Sequence, residues 1–138
     1  MTNGGAVNRW GIMLGSTLFA LIILLSPMNA AEGKHTDDLE LSGEVKNGVR
    51  EITVGAYKYG YFPNPLVVNY GEKVRLLMTA ADVPHGIRIP EFKVNTLLPL
   101  GVTKTIEFTA SQKGEFMVHC SVYCGPNHGK QKTRLIVR

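Results

Sequence analysis

From Arg50 onward the chain is a series of short β-prone runs cut by turn residues, and no stretch spaces its apolar residues as a helix would. Strands are predicted near Glu51–Tyr59, Leu66–Asn69, Lys73–Ala80, Gly86–Ile89, Thr103–Thr109, Glu115–Cys120 and Thr133–Val137. Breaks fall at Pro63-Asn64-Pro65, Tyr70-Gly71-Glu72, Pro90, Pro99-Leu100-Gly101 and Gln112-Lys113-Gly114. About seven short strands with no amphipathic helix predict an all-β domain over residues 50–138, a two-sheet antiparallel sandwich. A length of 138 residues leaves room for one such domain and a small extra segment.

That extra segment lies at the start. Arg9 is its only charge, and Gly11 to Leu25 is strongly apolar before Ser26-Pro27 breaks the run. An apolar stretch of about 15 residues, then a breaker and the small residues Asn29-Ala30-Ala31, fits a secretory signal peptide. Residues 10–31 are also long enough for a membrane helix of about 20 residues, which would associate the chain with the membrane. The Ser-Pro break favours cleavage near Ala31. Residues 1–31 are therefore expected to be a signal peptide or an N-terminal membrane anchor, and in both cases the remainder is extracytoplasmic. Residues 32–49 are polar, carry Gly33, Gly43 and Gly48, and read as a tether; His35 within them reads as a solvated side chain.

The chemistry is concentrated in Cys120-Ser121-Val122-Tyr123-Cys124-Gly125-Pro126-Asn127-His128. Both cysteines of the chain and one of its four histidines fall in this C-x3-C-x3-H loop. Thiolate and imidazole select copper or zinc over magnesium or calcium. The spacing alone serves a disulfide in an exported protein equally well. Structural zinc is the weaker fit, because the second close ligand pair is missing. His85, in Asp82-Val83-Pro84-His85-Gly86, is a further candidate ligand.

In order along the chain stand Tyr61-Phe62-Pro63-Asn64-Pro65, Gly71-Glu72-Lys73-Val74, Asp82-Val83-Pro84-His85-Gly86, Gly114-Glu115-Phe116, Cys120-x3-Cys124-Gly125-x2-His128 and Leu135-Ile136-Val137. With these landmarks, Tyr57 to Val137 resembles the CuA copper domain of subunit II of haem-copper (cytochrome c) oxidases, in its short single-anchor version. The resemblance implies a cupredoxin-like Greek-key β-sandwich or barrel and a binuclear copper centre. By that resemblance Cys120 and Cys124 would bridge two coppers, with His85 and His128 as imidazole ligands and Val122 offering its backbone carbonyl. The family places a methionine ligand where this sequence has Gln131. A mononuclear site using His85, one cysteine, His128 and Gln131 is the alternative, since glutamine serves as a weak axial ligand in blue-copper sites.

Other residue types carry less. Tyr57, Tyr59 and Tyr61 recur at period two and are expected to share one face of a strand. Met78 and Met117 lie within predicted strands and are expected to pack in the core. His119 should point away from the Cys120 side, at the surface. No base–nucleophile set or paired-carboxylate motif accompanies the loop, so catalysis by this chain alone is not expected. A net charge of +4 without a Lys/Arg run or interleaved aromatics argues against nucleic acid and suits solubility or the steering of an acidic partner protein. The expected function is an exported copper electron carrier exchanging electrons with a cytochrome and a terminal acceptor such as oxidase subunit I. A periplasmic copper chaperone or storage protein is the second reading.

Overall fold

A computed structural model describes residues 36–138, so the expectations for residues 1–31 and for His35 lie outside the described residues. Ten strands follow in order: β1 Glu44–Lys46, β2 Val49–Tyr57, β3 Gly60–Phe62, β4 Leu66–Val68, β5 Lys73–Ala80, β6 His85–Ile89, β7 Val94–Leu98, β8 Thr103–Thr109, β9 Gly114–His119 and β10 Lys132–Val137. They form two sheets. One has the order β1-β2-β5-β8, with β3 on the β1 edge of β2; the other has the order β4-β10-β9-β6-β7.

Alternation drives the packing. In β2, Ile52, Val54 and Ala56 are buried, and in β5 Val74, Leu76, Met78 and Ala80 are. Facing them from the second sheet are Leu66, Val68, Ile87, Ile89, Val118, Leu135 and Val137. Each large apolar side chain taken fully from water stabilises the fold by about 1.5–3 kcal/mol. Phe92, from the short 3-10 turn Pro90–Phe92, meets Phe108 of β8 and Phe116 of β9 at ring separations of 5.1 and 5.0 Å, bridging the two sheets.

All seven predicted strands are present, and four expectations change. The sandwich is not purely antiparallel: β2 pairs parallel with β5, and β4 with β10. The chain crosses to the other sheet at Leu66–Val68 before returning, so β2 and β5 run the same way. Three strands, β1, β3 and β7, went unforeseen; each is bounded by tight turns, and Val94–Leu98 breaks alternation at Leu97-Leu98. The tyrosines do not share a face, because the chain reverses at Lys58-Tyr59: Tyr57 pairs opposite Gly60 and is exposed, whereas Tyr61 is buried. Met117 is 38% exposed and not in the core, opposite Arg134 on the outer face of β9–β10.

One polar cluster locks the end remote from the cysteine loop. Buried Arg50 donates Nε to Glu72 Oε2 at 2.6 Å and Nη2 to Glu72 Oε1 at 2.8 Å, and gives Nη1 to the Ser42 carbonyl at 3.1 Å. Glu72 also accepts the backbone N–H and side-chain amide of Asn69. Ser42 Oγ in turn accepts the N–H of Val67. The segment expected as a tether thus joins the sandwich at its described end. The Arg50 guanidinium pulls the Glu72 carboxyl from 4.5 down to about 2.

A carboxyl whose pKa is depressed by folding contributes stability above its unfolded value and loses it as pH falls through the folded one. The Glu72 contribution is therefore complete above about pH 4.5 and lost between there and about pH 2. Glu72→Gln should cost about 2 kcal/mol at neutral pH, since it leaves a buried guanidinium unpaired beside a site still touched by water. Denaturant melts at pH 7 and pH 3 measure both effects. The gap between the two proteins should narrow at the lower pH.

Candidate metal centre

The loop between β9 and β10 is closed at its neck by register. Lys132 pairs with His119, and one step further the Cys120 N–H donates to the Gln131 carbonyl at 3.2 Å. Cys120 and Gln131 therefore face the same way as Val118 and Thr133, inward, and all four are buried. Within the loop Cys124 is buried, and the short turn His128–Lys130 leaves His128 half-buried. Gly125 adopts φ +138°, where a side chain would also run into the Tyr59 hydroxyl.

His85 opens β6 and is fully buried. Its Nε2 lies 2.7 Å from Asp82 Oδ1, a carboxylate that can only accept, so Nε2 holds the proton. The bare Nδ1 is thereby aimed at the cysteines, 4.0 Å from Cys120 Sγ. Asp82 also accepts the N–H groups of Lys58 and Val83. Partial burial pushes its carboxyl up, but these hydrogen bonds outweigh that and hold it below its usual value. The next residue, Gly86, has no room for a side chain, because a Cβ would meet the Ser121 hydroxyl and Val122. Its N–H approaches Cys120 Sγ at 3.4 Å, and its carbonyl accepts the buried Tyr61 hydroxyl at 2.6 Å.

All six residues singled out in the sequence come together here. The two sulfurs are 4.0 Å apart, both as free thiols. Cys120 Sγ lies 3.1 Å from the Val122 carbonyl; Cys124 Sγ lies 3.6 Å from His128 Nδ1 and 2.9 Å from Gln131 Oε1. The Gln131 amide is oriented by its Nε2, which donates to the Gly60 carbonyl at 3.3 Å and leaves Oε1 facing the cysteines. His119 is exposed, as expected of its parity.

This donor set fits a thiophilic transition metal. Ligand atoms of His85, Cys120 and Cys124 all lie within 4.8 Å of one another. Sulfurs bound to one tetrahedral metal at about 2.3 Å would sit about 3.8 Å apart, close to the spacing seen. Burial pushes the Cys124 thiol up, and the neighbouring Cys120 adds to that, so without a cation Cys124 resists ionisation. A bound cation would remove that cost. Soft sulfur with imidazole is the copper and zinc set, and the added amide and peptide oxygens exceed a four-coordinate zinc site.

Asp82, Gly60, Gly86 and Tyr61 are the supporting residues that motif reading did not assign. Asp82 carried a local signal, an acid three residues before a candidate ligand. The others act through backbone groups or across long loops and have none.

Comparison with known proteins places the chain in a family. Residues 35–136 match the family described as cytochrome c oxidase subunit II, periplasmic domain. Cytochrome c oxidase subunit 2 from Thermus thermophilus is 30% identical over 96 residues, covering 68% of this chain and 71% of the relative. A second subunit 2 from that species matches at 30% identity over 57% of its own length. In fold, the chain is similar to the periplasmic domain of subunit II of cytochrome oxidase (CoxB) of Bradyrhizobium japonicum. The TM-score there is 0.62 at 21% identity, over 69% of this chain and 88% of that one. On the family match across most of its length, the chain belongs to the cytochrome c oxidase subunit II periplasmic-domain family.

Proposed function

We propose that the protein is an extracytoplasmic electron carrier that holds two coppers between Cys120 and Cys124, takes electrons from a cytochrome and passes them to a terminal acceptor such as oxidase subunit I. One observation carries this reading: six donor groups, from His85, Cys120, Val122, Cys124, His128 and Gln131, converge around two sulfurs 4.0 Å apart. A single tetrahedral ion would use four of them. Copper bound there would supply one-electron redox chemistry.

What the chain contributes is a fixed, largely buried donor set. His85 is held at both ends, by Asp82 on Nε2 and by the strand on its backbone. Gln131 is fixed by Gly60, and Cys120 by the Gly86 N–H. Ligands that cannot follow a change of charge keep the reorganisation accompanying electron transfer small. The half-buried His128 is the side-chain ligand nearest solvent, with the exposed Tyr123 ring 6.0 Å from its own. Residues 1–31 would deliver the domain across the membrane, as a cleaved signal or a retained anchor. No acid–base pair lies among these ligands apart from Asp82 with His85, whose atoms are committed to each other. The role proposed is transfer of electrons, not catalysis.

The sulfurs test the sharing of the site. Cys120→Ser and Cys124→Ser should each abolish the intense thiolate-to-copper absorption of the loaded protein. A strong blue colour surviving in Cys124→Ser would show that one cysteine suffices.

Gln131 tests the tuning. Its amide oxygen is harder than a thioether and favours Cu(II), so Gln131→Met should raise the reduction potential in protein film voltammetry with copper stoichiometry unchanged. A second copper that appears only in Gln131→Met would contradict the binuclear proposal.

A further inference from the structure

The outer face of the second sheet carries a row of side chains set by register. Lys132 of β10 pairs with His119 of β9, His119 pairs with Arg88 of β6, and Arg88 pairs with Asn95 of β7. All four are exposed. Directly opposed side chains in a sheet have Cβ atoms about 4.5–5.5 Å apart, and like charges at that spacing destabilise it. Here two permanent cations flank an imidazole, and the fourth member is a neutral amide.

Among the described residues no ion pair neutralises the row. Among the described residues the ion-paired acids are engaged elsewhere, Glu44 with Lys46, Glu115 with Arg134, Glu107 and Glu51 with Arg75 and Glu72 with Arg50, and Asp82 is hydrogen-bonded to His85. Neither Arg88 nor Lys132 takes part in an ion pair there. Beside the row lies a surface hollow of about 570 Å³ whose walls include Arg88, Asn95, His119 and Ser121. Cys120 and His128 also reach its wall, so whatever fills the hollow touches two of the proposed ligands.

We propose that the row Lys132–His119–Arg88, with the adjoining hollow, is the docking surface for an acidic electron-donating protein. Unpaired positive charge calls for carboxylates, and a redox partner must come close to the ligands, which the hollow allows. That the occupant is a redox protein rests on the electron-carrier function proposed above; that it is acidic rests on the row alone. The row would steer encounter and fix orientation, and so act mainly on the association rate.

Cytochrome b5, an acidic haem protein, serves as the probe, with hexaammineruthenium(II) as a cationic control donor. In the copper-loaded full chain, Arg88→Gln/Lys132→Gln should slow the second-order electron transfer from reduced cytochrome b5 about tenfold at low ionic strength. Added salt should erase that difference. The rate with the ruthenium complex should not fall. Equal slowing with both donors, or none with cytochrome b5, overturns the proposal. Should the double variant fold poorly, Arg88→Gln alone replaces it under the same criteria.

A titration of the metal-free, isotope-labelled chain with cytochrome b5 separates this surface from the copper reading. Amide shifts should cluster at Arg88, Asn95, His119 and Lys132. That pattern without electron transfer upholds the surface and counts against the carrier function. Shifts confined to another face overturn the surface.

Discussion

The centre depends on the register of two strands. Pairing His119 with Lys132 sets Cys120 opposite Gln131, with both side chains turned inward at the neck of the loop. A slip of one residue between them would put Cys120 and Gln131 on opposite faces and destroy the site. The slip is opposed by the core, because the same alternation buries Val118, Thr133, Leu135 and Val137. Sheet packing and ligand geometry are thus one constraint, and the rigidity of the sandwich becomes the rigidity of the donor set.

A second layer holds what register leaves free. The hairpin at Lys58 to Tyr61 braces the site from the first sheet: Lys58 N–H binds Asp82, the Gly60 carbonyl holds Gln131, and the Tyr61 hydroxyl holds Gly86. Burial raises the Tyr61 hydroxyl far above its ordinary pKa, so it stays a donor. Among the described residues no buried side-chain nitrogen or oxygen lacks a hydrogen-bond partner. Polar groups this deep would otherwise be costly, and here each sets an orientation. The Arg50–Glu72 cluster plays the corresponding part at the other end, tying Ser42 and the turn before β5 to β2.

Much of this was legible in the sequence because it is local. The C-x3-C-x3-H loop, the Pro84-His85 strand start and the alternation in β2, β5 and β10 each lie within a few residues, and the donor groups they mark do converge. What stayed hidden is long-range or exceptional. Gln131 and Gly60 are 71 residues apart, and Tyr61 and Gly86 are 25, so no spacing rule joins them. Tyr57 to Tyr61 misled because alternation predicts a face only while the chain stays extended, and it reverses at Lys58-Tyr59. Met117 misled because its face of β9 is the solvent face, a fact that depends on which sheet covers it. The cationic row is likewise a product of pairing, since Arg88, His119 and Lys132 mark no motif in sequence.

The central claim is that two sulfurs and the groups around them share a pair of metals. Copper content together with the EPR spectrum of the loaded protein tests it most directly. The account predicts two coppers per chain and, in the one-electron-oxidised form, a single unpaired electron with hyperfine coupling to both nuclei. One copper per chain with hyperfine structure from a single nucleus would contradict it.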